Sequence, residues 1–429
     1  MTHLTNVMFC SAMLFSVALT GCSNEIIQRN WYAVHADGNN SDYSRVEGAR
    51  NIEPAWHRKF NGTINLGATT DAYGRVYVTT SADGCHLYAL DHLTGETLWC
   101  TEEVGRLAVA SSALVDEKGS VFIADDAYMF SFNSMGKLRW KSPIIGFPLS
   151  AQFTSGKRLI FVTHIGIVYV MDKETGDTML MEELTKGNAA HVAEFDPLAC
   201  MQGTPDCPCA NTLAVDIKSD KFYFTYWEPG APQADVFAMQ YKEKPTSRIA
   251  MLWRNSTLQG GSASSPDISF GGDRIYVNDN EGGLHALNAK TGKNIWRYDI
   301  GYATGGSQST SPGGAIVPAG GGKAPLLCLM DEGDSARLLW RNDSLTNRGV
   351  ATQAAGGLIY ATLADRKKGR FYNYIAVIDA RSGAEIDHEE LPGVTIFTVG
   401  TTIGPEGNVY VPSFNGNLFA FKPAPARTQ

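Results

Sequence analysis

An eleven-residue run, Ala89-Leu90-Asp91-His92-Leu93-Thr94-Gly95-Glu96-Thr97-Leu98-Trp99, returns almost two hundred positions later as Ala286-Leu287-Asn288-Ala289-Lys290-Thr291-Gly292-Lys293-Asn294-Ile295-Trp296. Partial copies stand at Val170-Met171-Asp172-Lys173-Glu174-Thr175-Gly176 and Val377-Ile378-Asp379-Ala380-Arg381-Ser382-Gly383. Each copy reads as a strand, a tight turn and a second strand. The Asp or Asn and the Thr can bond turn amides, and the Gly can take the positive φ of a hairpin loop. The Trp is a large apolar anchor, able to wedge between neighbouring sheets. Six of the eight tryptophans hold this position or its equivalent: Trp56, Trp99, Trp140, Trp253, Trp296 and Trp340.

Two further strands precede most hairpins. One has the shape of Gly74-Arg75-Val76-Tyr77-Val78 or Gly407-Asn408-Val409-Tyr410-Val411. The other is short, small and polar, as in Ala68-Thr69-Thr70 and Ser309-Thr310. Four strands repeated about every forty residues predict an all-β chain folded as a β-propeller of four-stranded antiparallel blades. The hairpin anchors fall at Asp91, Asn133, Asp172, Gln240, Asn288, Asp331, Asp379 and Lys422, which makes eight blades. The long step from Asp172 to Gln240 marks an insertion at about 185–210. The last unit stops after its third strand, and Ile52–Phe60, with Trp56, resembles the missing fourth. The N-terminal strand is therefore expected to pair onto blade eight and close the ring, which removes open sheet edges.

The ring absorbs 52–422, leaving 423–429 as a tail. The net charge of −8 argues against nucleic acid and against broad contact with anionic lipid. At the other end, Val7–Leu19 is a short apolar run with no Lys or Arg ahead of it, followed by Leu19-Thr20-Gly21-Cys22. This resembles a bacterial lipoprotein signal (1–21) whose cleavage leaves Cys22 lipidated, so that a lipid anchor is the only membrane attachment. Ser23 in place of Asp implies the outer membrane by the enteric sorting rule. Residues 22–51 would be a tether whose aromatic stretch, Trp31 to Tyr43, packs on the ring.

Export makes disulfides the default for the remaining cysteines. Cys85 and Cys100 flank one hairpin symmetrically and are expected to pair. Cys200 is expected to pair with Cys209 or Cys207 and staple the insertion. A metal site using these thiols with His191 is the less economical use of them. Cys328 reads as a small buried apolar residue. The polar rows Ser264-Ser265, Ser309-Thr310 and Thr401-Thr402 should line an axial channel, holding water or a small ligand. His86, His92, His164 and His285 fall in or beside blade strands. No nucleophile-elbow, zinc-helix or phosphate-loop motif occurs. Tyr226, Trp227 and Pro229, in an extended blade-four hairpin near the insertion, form a candidate partner surface.

The repeats, from about 50 to 422, are similar to the pyrroloquinoline-quinone (PQQ)-type propeller repeat. Two groups share it. Quinoprotein dehydrogenases bind the quinone with calcium at the ring centre, against a disulfide between adjacent cysteines. This chain has no Cys-Cys pair and no haem-attachment Cys-x-x-Cys-His. The second group is non-enzymatic lipoproteins such as the propeller subunit of the outer-membrane β-barrel assembly machine. Signal, length and blade count resemble this group, and the resemblance implies a periplasm-facing scaffold for an envelope protein partner, with no cofactor and no catalytic or metal residues. A PQQ- and calcium-dependent dehydrogenase and a glycan- or lipid-binding propeller are the alternatives.

Overall fold

Each copy of the repeat becomes the outer half of one blade. The computed structural model describes residues 30–205, 208, 211–365, 372–394 and 398–426, in which eight sheets follow one another along the chain. In blade one the order from the axis outward is Thr69–Thr70, Arg75–Thr79, Leu87–Asp91 and Thr97–Thr101, all antiparallel. Blades two to six repeat this order. Blade eight is completed from the other end of the chain: Ile52–Lys59 pairs antiparallel with Asn417–Pro423, and the ring closes as its sequence predicts.

The middle strands of a blade are covered on both faces by neighbouring blades. Leu159–Val162 and Ile167–Met171 are buried throughout, whereas the outer Thr178–Glu183 has no buried residue. The core therefore lies between blades. Ile160, Val162, Val168 and Val170 of blade three pack against Phe222, Phe224 and Met239 of blade four.

Each repeat Trp serves the next blade. The Trp56 ring lies over the turn glycine of blade one, where a Cβ on Gly95 would stand 2.6 Å from the ring; Gly95 has φ +71° as well, so both space and backbone require glycine. The Trp56 indole N–H donates to the His92 carbonyl of that turn at 3.0 Å. The same contact joins Trp99 to Gly136, Trp140 to Gly176, Trp253 to Gly292 and Trp340 to Gly383. Where the following blade lacks the turn, the contact differs. Blade six has no Thr-Gly turn, and Trp296 donates instead to the Asp331 carboxylate. Blade eight has no hairpin after its third strand, and blade seven carries Asp387, which accepts the Ile52 N–H of the closing strand at 2.9 Å.

Two features depart from the simple ring. Blade seven gains Tyr43–Glu47, which pairs parallel with its innermost strand Thr352–Ala355, and Leu345–Asn347, which pairs with Leu358–Asp365. The insertion after blade three carries a 3-10 stretch, Asn188–Glu194, and a short helix, Pro197–Cys200.

Candidate functional site

The axis of the ring is occupied by the chain's own residues 31–42, not left as the channel that its polar rows suggest. The innermost strands are two to four residues long in the blades described, and their inward backbone groups need partners. The N-terminal segment supplies carbonyls to them nearly in blade order. Trp31 O accepts from Thr70 N, Tyr32 O from Val115 N, Gly38 O from Val215 N, Asn39 O from Ile268 N, Ser41 O from Thr310 N and Asp42 O from Gln353 N. Blade three takes part through Gln152, whose side-chain amide donates to Asp37 O and to Asn40 Oδ1. Ala36, Asn40 and Asp42 hold φ of 71°, 60° and 46°, left-handed values that the surrounding ring must enforce.

The segment divides the axis into two cavities. The larger, about 680 Å³, opens on the face of the hairpin turns. Tyr32, Phe153 and Phe270 contribute to its wall, and Lys173 pairs with Asp116 at 2.6 Å beside it. The smaller, about 140 Å³, lies on the opposite face, where blades connect and where the insertion brings Met201 and Gln202 to its rim. Its wall includes His35, Asp42 and Ser265. His35 Nδ1 is 2.8 Å from Asp42 Oδ2, and its Nε2 is 3.2 Å from Ser265 Oγ.

Three carboxyl groups surround the segment, Asp42 and Asp267 buried and Asp37 half-buried at the wall of the larger cavity. Burial pushes Asp42 up, while His35 beside it pulls the other way. Burial also raises Asp37. Asp267, on the inner strand of blade five, is raised furthest: it is fully buried, Thr310 and Gln308 lie beside it without forming a hydrogen bond of normal geometry, and Asp37 and Asp42 add like charge. A carboxyl whose folded pKa exceeds its unfolded value favours the fold fully below the unfolded value near 4, and that contribution is lost as pH rises through the folded value. Asp267→Asn is therefore expected to stabilise the protein at neutral pH by about 1–3 kcal/mol and to flatten the loss of stability as pH rises from about 4 to neutrality. Thermal unfolding of both proteins across that range checks this; an equal slope in the two would contradict it.

The family of outer membrane protein assembly factor BamB matches this chain over residues 49–152 and 250–429, more than half its length. The chain belongs to this BamB family. The unmatched stretch of 153–249 contains the insertion and most of blades three and four. Protein Rv3035 of Mycobacterium tuberculosis is 27% identical over 399 residues, covering 92% of this chain and 96% of that protein. Among solved structures, BamB from Moraxella catarrhalis superposes with a TM-score of 0.57 at 13% identity, over 86% of this chain and 99% of that one. The quinohemoprotein alcohol dehydrogenase of Comamonas testosteroni gives 0.64 at 13% identity, over 96% and 86%. Both likenesses show the fold.

Residues 31–42 run between the two axial cavities of this BamB-family ring, and among the described residues no group of three or more His, Cys, Asp or Glu is placed to hold a metal ion. Cys85 and Cys100 are joined on the hairpin of blade one, Cα–Cα 5.7 Å, away from any adjacent-cysteine arrangement. Cys328 is buried, and burial pushes its thiol up to about 12, which leaves it unreactive.

The candidate partner surface needs correction. Tyr226 is 2% and Trp227 6% exposed, and both are core residues. Tyr226 packs with Phe222 and Phe237, and Trp227 donates its indole N–H to Ala231 O. Of the three, only Pro229 is exposed. An aromatic pair beside Pro and Gly has the same composition whether a loop is presented or folded back; only the packing distinguishes them. Cys200 is buried and disulfide-bonded, while Cys207, Cys209 and the lipobox Cys22 lie outside the described residues. His191 is exposed and pairs with Glu194 at 2.8 Å. Asp91, Asp172 and Asp379 are turn residues. At Asp91 the Thr94 and Leu93 amides outweigh a desolvation that acts upward, and the carboxyl ends below its usual range. The His35, Asp42 and Ser265 grouping carries no sequence motif, because 230 positions separate His35 from Ser265.

Proposed function

We propose that this chain is a periplasm-facing outer-membrane lipoprotein, anchored through Cys22, that acts as a protein-binding scaffold in outer-membrane protein assembly. Membership of the BamB family supports the pathway. The observation that carries the scaffold reading is the axis itself. In this ring the chain's own N-terminal segment runs along the axis and bonds the inner strands, while the added material, the insertion, sits on the rim of one face.

The same geometry orients the ring. Asn30 lies at the mouth of the larger cavity, on the hairpin-turn face. Cys22 is eight residues upstream, a reach of at most about 29 Å. Lipidation would hold the turn face near the bilayer and point the insertion toward periplasmic partners. Leu198, 37% exposed on the insertion helix, is the apolar residue offered there.

Mild cross-linking in cells, followed by purification and mass spectrometry, tests this. The β-barrel assembly machine is the expected partner, and Leu198→Glu should reduce its capture at least several-fold without lowering thermal stability. Cys22→Ala should move the protein from the membrane to the soluble fraction. Capture no greater than that of the unanchored variant would count against the scaffold. A second reading, a small-ligand receptor, rests on the 680 Å³ cavity and its aromatic wall. A thermal shift with one member of a glycan and lipid panel would favour it.

A further inference from the structure

We propose that Ser265, His35 and Asp42 form a nucleophile, base and orienting acid at the smaller axial cavity, competent to hydrolyse esters of short acyl chains. This activity goes beyond the scaffold reading and does not depend on it.

The geometry is that of an activated serine. Ser265 Oγ is 3.2 Å from His35 Nε2, and His35 Nδ1 is 2.8 Å from Asp42 Oδ2, each within the range expected of a nucleophile and its base before substrate arrives. The Asp42 side chain is 5% exposed and that of His35 13%, so the chain of bonds is shielded from water yet reaches the cavity. With Asp42 ionised, Nδ1–H donates to it and Nε2 is left to accept the Ser265 proton.

The fold fixes each member separately. His35 and Asp42 sit on one tight loop, where Asp37 N and Asp42 N both donate to His35 O. The left-handed backbone of Ala36 and Asp42 shapes this loop. Strain of this kind persists only where the surroundings over-determine it, and it clusters at functional sites. Ser265 comes from blade five, and its backbone N–H is held by Ser307 Oγ at 2.9 Å. The neighbouring amides of Gly306 and Ser307 make no hydrogen bond among the described residues, whereas Gly305 N is taken by Gly320 O. Both residues line the same cavity, and we assign their amides as the donors to a developing oxyanion.

The cavity sets the substrate class. Its 140 Å³ corresponds to roughly five water-sized volumes of ~30 Å³ each, and Val34, Leu66, Leu149 and Val350 supply apolar wall. A short acyl group fits within it, and a long chain would have to extend past the rim. In the reaction, Ser265 Oγ bonds to the ester carbonyl carbon as its proton passes to His35. The bond to the leaving alcohol then breaks, and that oxygen takes the proton. Water adds to the acyl-serine, giving a proton to His35. Collapse releases the acid and returns the proton to Ser265.

The test uses p-nitrophenyl acetate and the full chain. A burst of p-nitrophenol should accompany acetylation of Ser265, located by mass spectrometry after acid quench. Ser265→Ala should abolish the burst and the acetyl group. His35→Gln should slow acylation at least about 100-fold. The octanoate ester should react at least about tenfold more slowly than the acetate. If Ser265→Ala does not fold, Ser265→Cys keeps the size and should transfer acetylation to sulfur. A wild-type protein with no acetyl group on Ser265, or with turnover equal to that of Ser265→Ala, overturns the proposal. A network that only anchors the N-terminal segment predicts that result, with a lowered melting temperature in the variants and no chemistry.

Discussion

Asn40→Ala is expected to lower the unfolding free energy by about 3–5 kcal/mol, one of the largest effects of any single polar substitution in this chain. Asn40 is fully buried at the axis. Its Nδ2 donates to Thr212 O at 3.2 Å and to Pro266 O at 3.0 Å, and its Oδ1 accepts from Gln152 at 3.1 Å. One side chain thus ties blades three, four and five to the segment. Alanine would take this partner from two interior carbonyls, each costing about 1–3 kcal/mol before relaxation, and leave the Gln152 amide with its bond to Asp37 O alone. It would also place a Cβ without a compensating bond at φ 60°, a conformation that Asn tolerates and Ala resists by about 1 kcal/mol. Asn39, one residue earlier, has an ordinary φ and no side-chain hydrogen bond among the described residues, so Asn39→Ala should change stability by less than about 0.5 kcal/mol. Urea denaturation of the two variants checks the contrast. Equal midpoints would show that the axis segment is not bound as its hydrogen bonds indicate.

Trp56→Ala should cost about 3–4 kcal/mol and loosen the closure of the ring. The Trp56 ring covers Gly95, bonds His92 O and lies 5.9 Å from the Tyr410 ring. It is the one repeat Trp whose strand comes from the opposite end of the chain, so its loss acts on the joint between blade eight and blade one. Limited proteolysis should then cut more rapidly near residues 48–51, just before the closing strand. Leu98→Ala, at a half-exposed site on the outer strand of blade one, should stay within about 0.5 kcal/mol of wild type in the same assay. Retention of the wild-type midpoint by Trp56→Ala would mean that closure rests on the backbone ladder alone.

The two variants probe features of different legibility. Closure could be read from the sequence because Ile52–Phe60 carries the Trp and strand pattern of an outer strand while the last unit lacks one. The axis segment could not. It is bound through its carbonyl oxygens, and a carbonyl is the same on every residue. The run Gly38-Asn39-Asn40-Ser41-Asp42 holds a faint signal, since Gly, Asn and Asp are the residues that accept left-handed backbone, but composition alone does not say what such a loop lies against. Tyr226 and Trp227 failed for a related reason: their burial depends on Thr185 and Ala231, which lie in connections outside the repeated strands, as well as on Phe237.

What the sequence by itself determined is whatever recurs: the strand alternation, the turn chemistry of Asp91 and its equivalents, the Trp anchors, the number of blades and the completion of the last by the first strand. These are local patterns, and each copy averages away the accidents of the others. The tertiary structure alone decided what fills the axis, which turn each Trp serves, and that His35, Asp42 and Ser265 meet at one cavity. Those contacts occur once, join residues far apart in the chain, and run largely through backbone atoms or single side chains. Their energy exists only when the ring is closed, so no local stretch of sequence carries their mark.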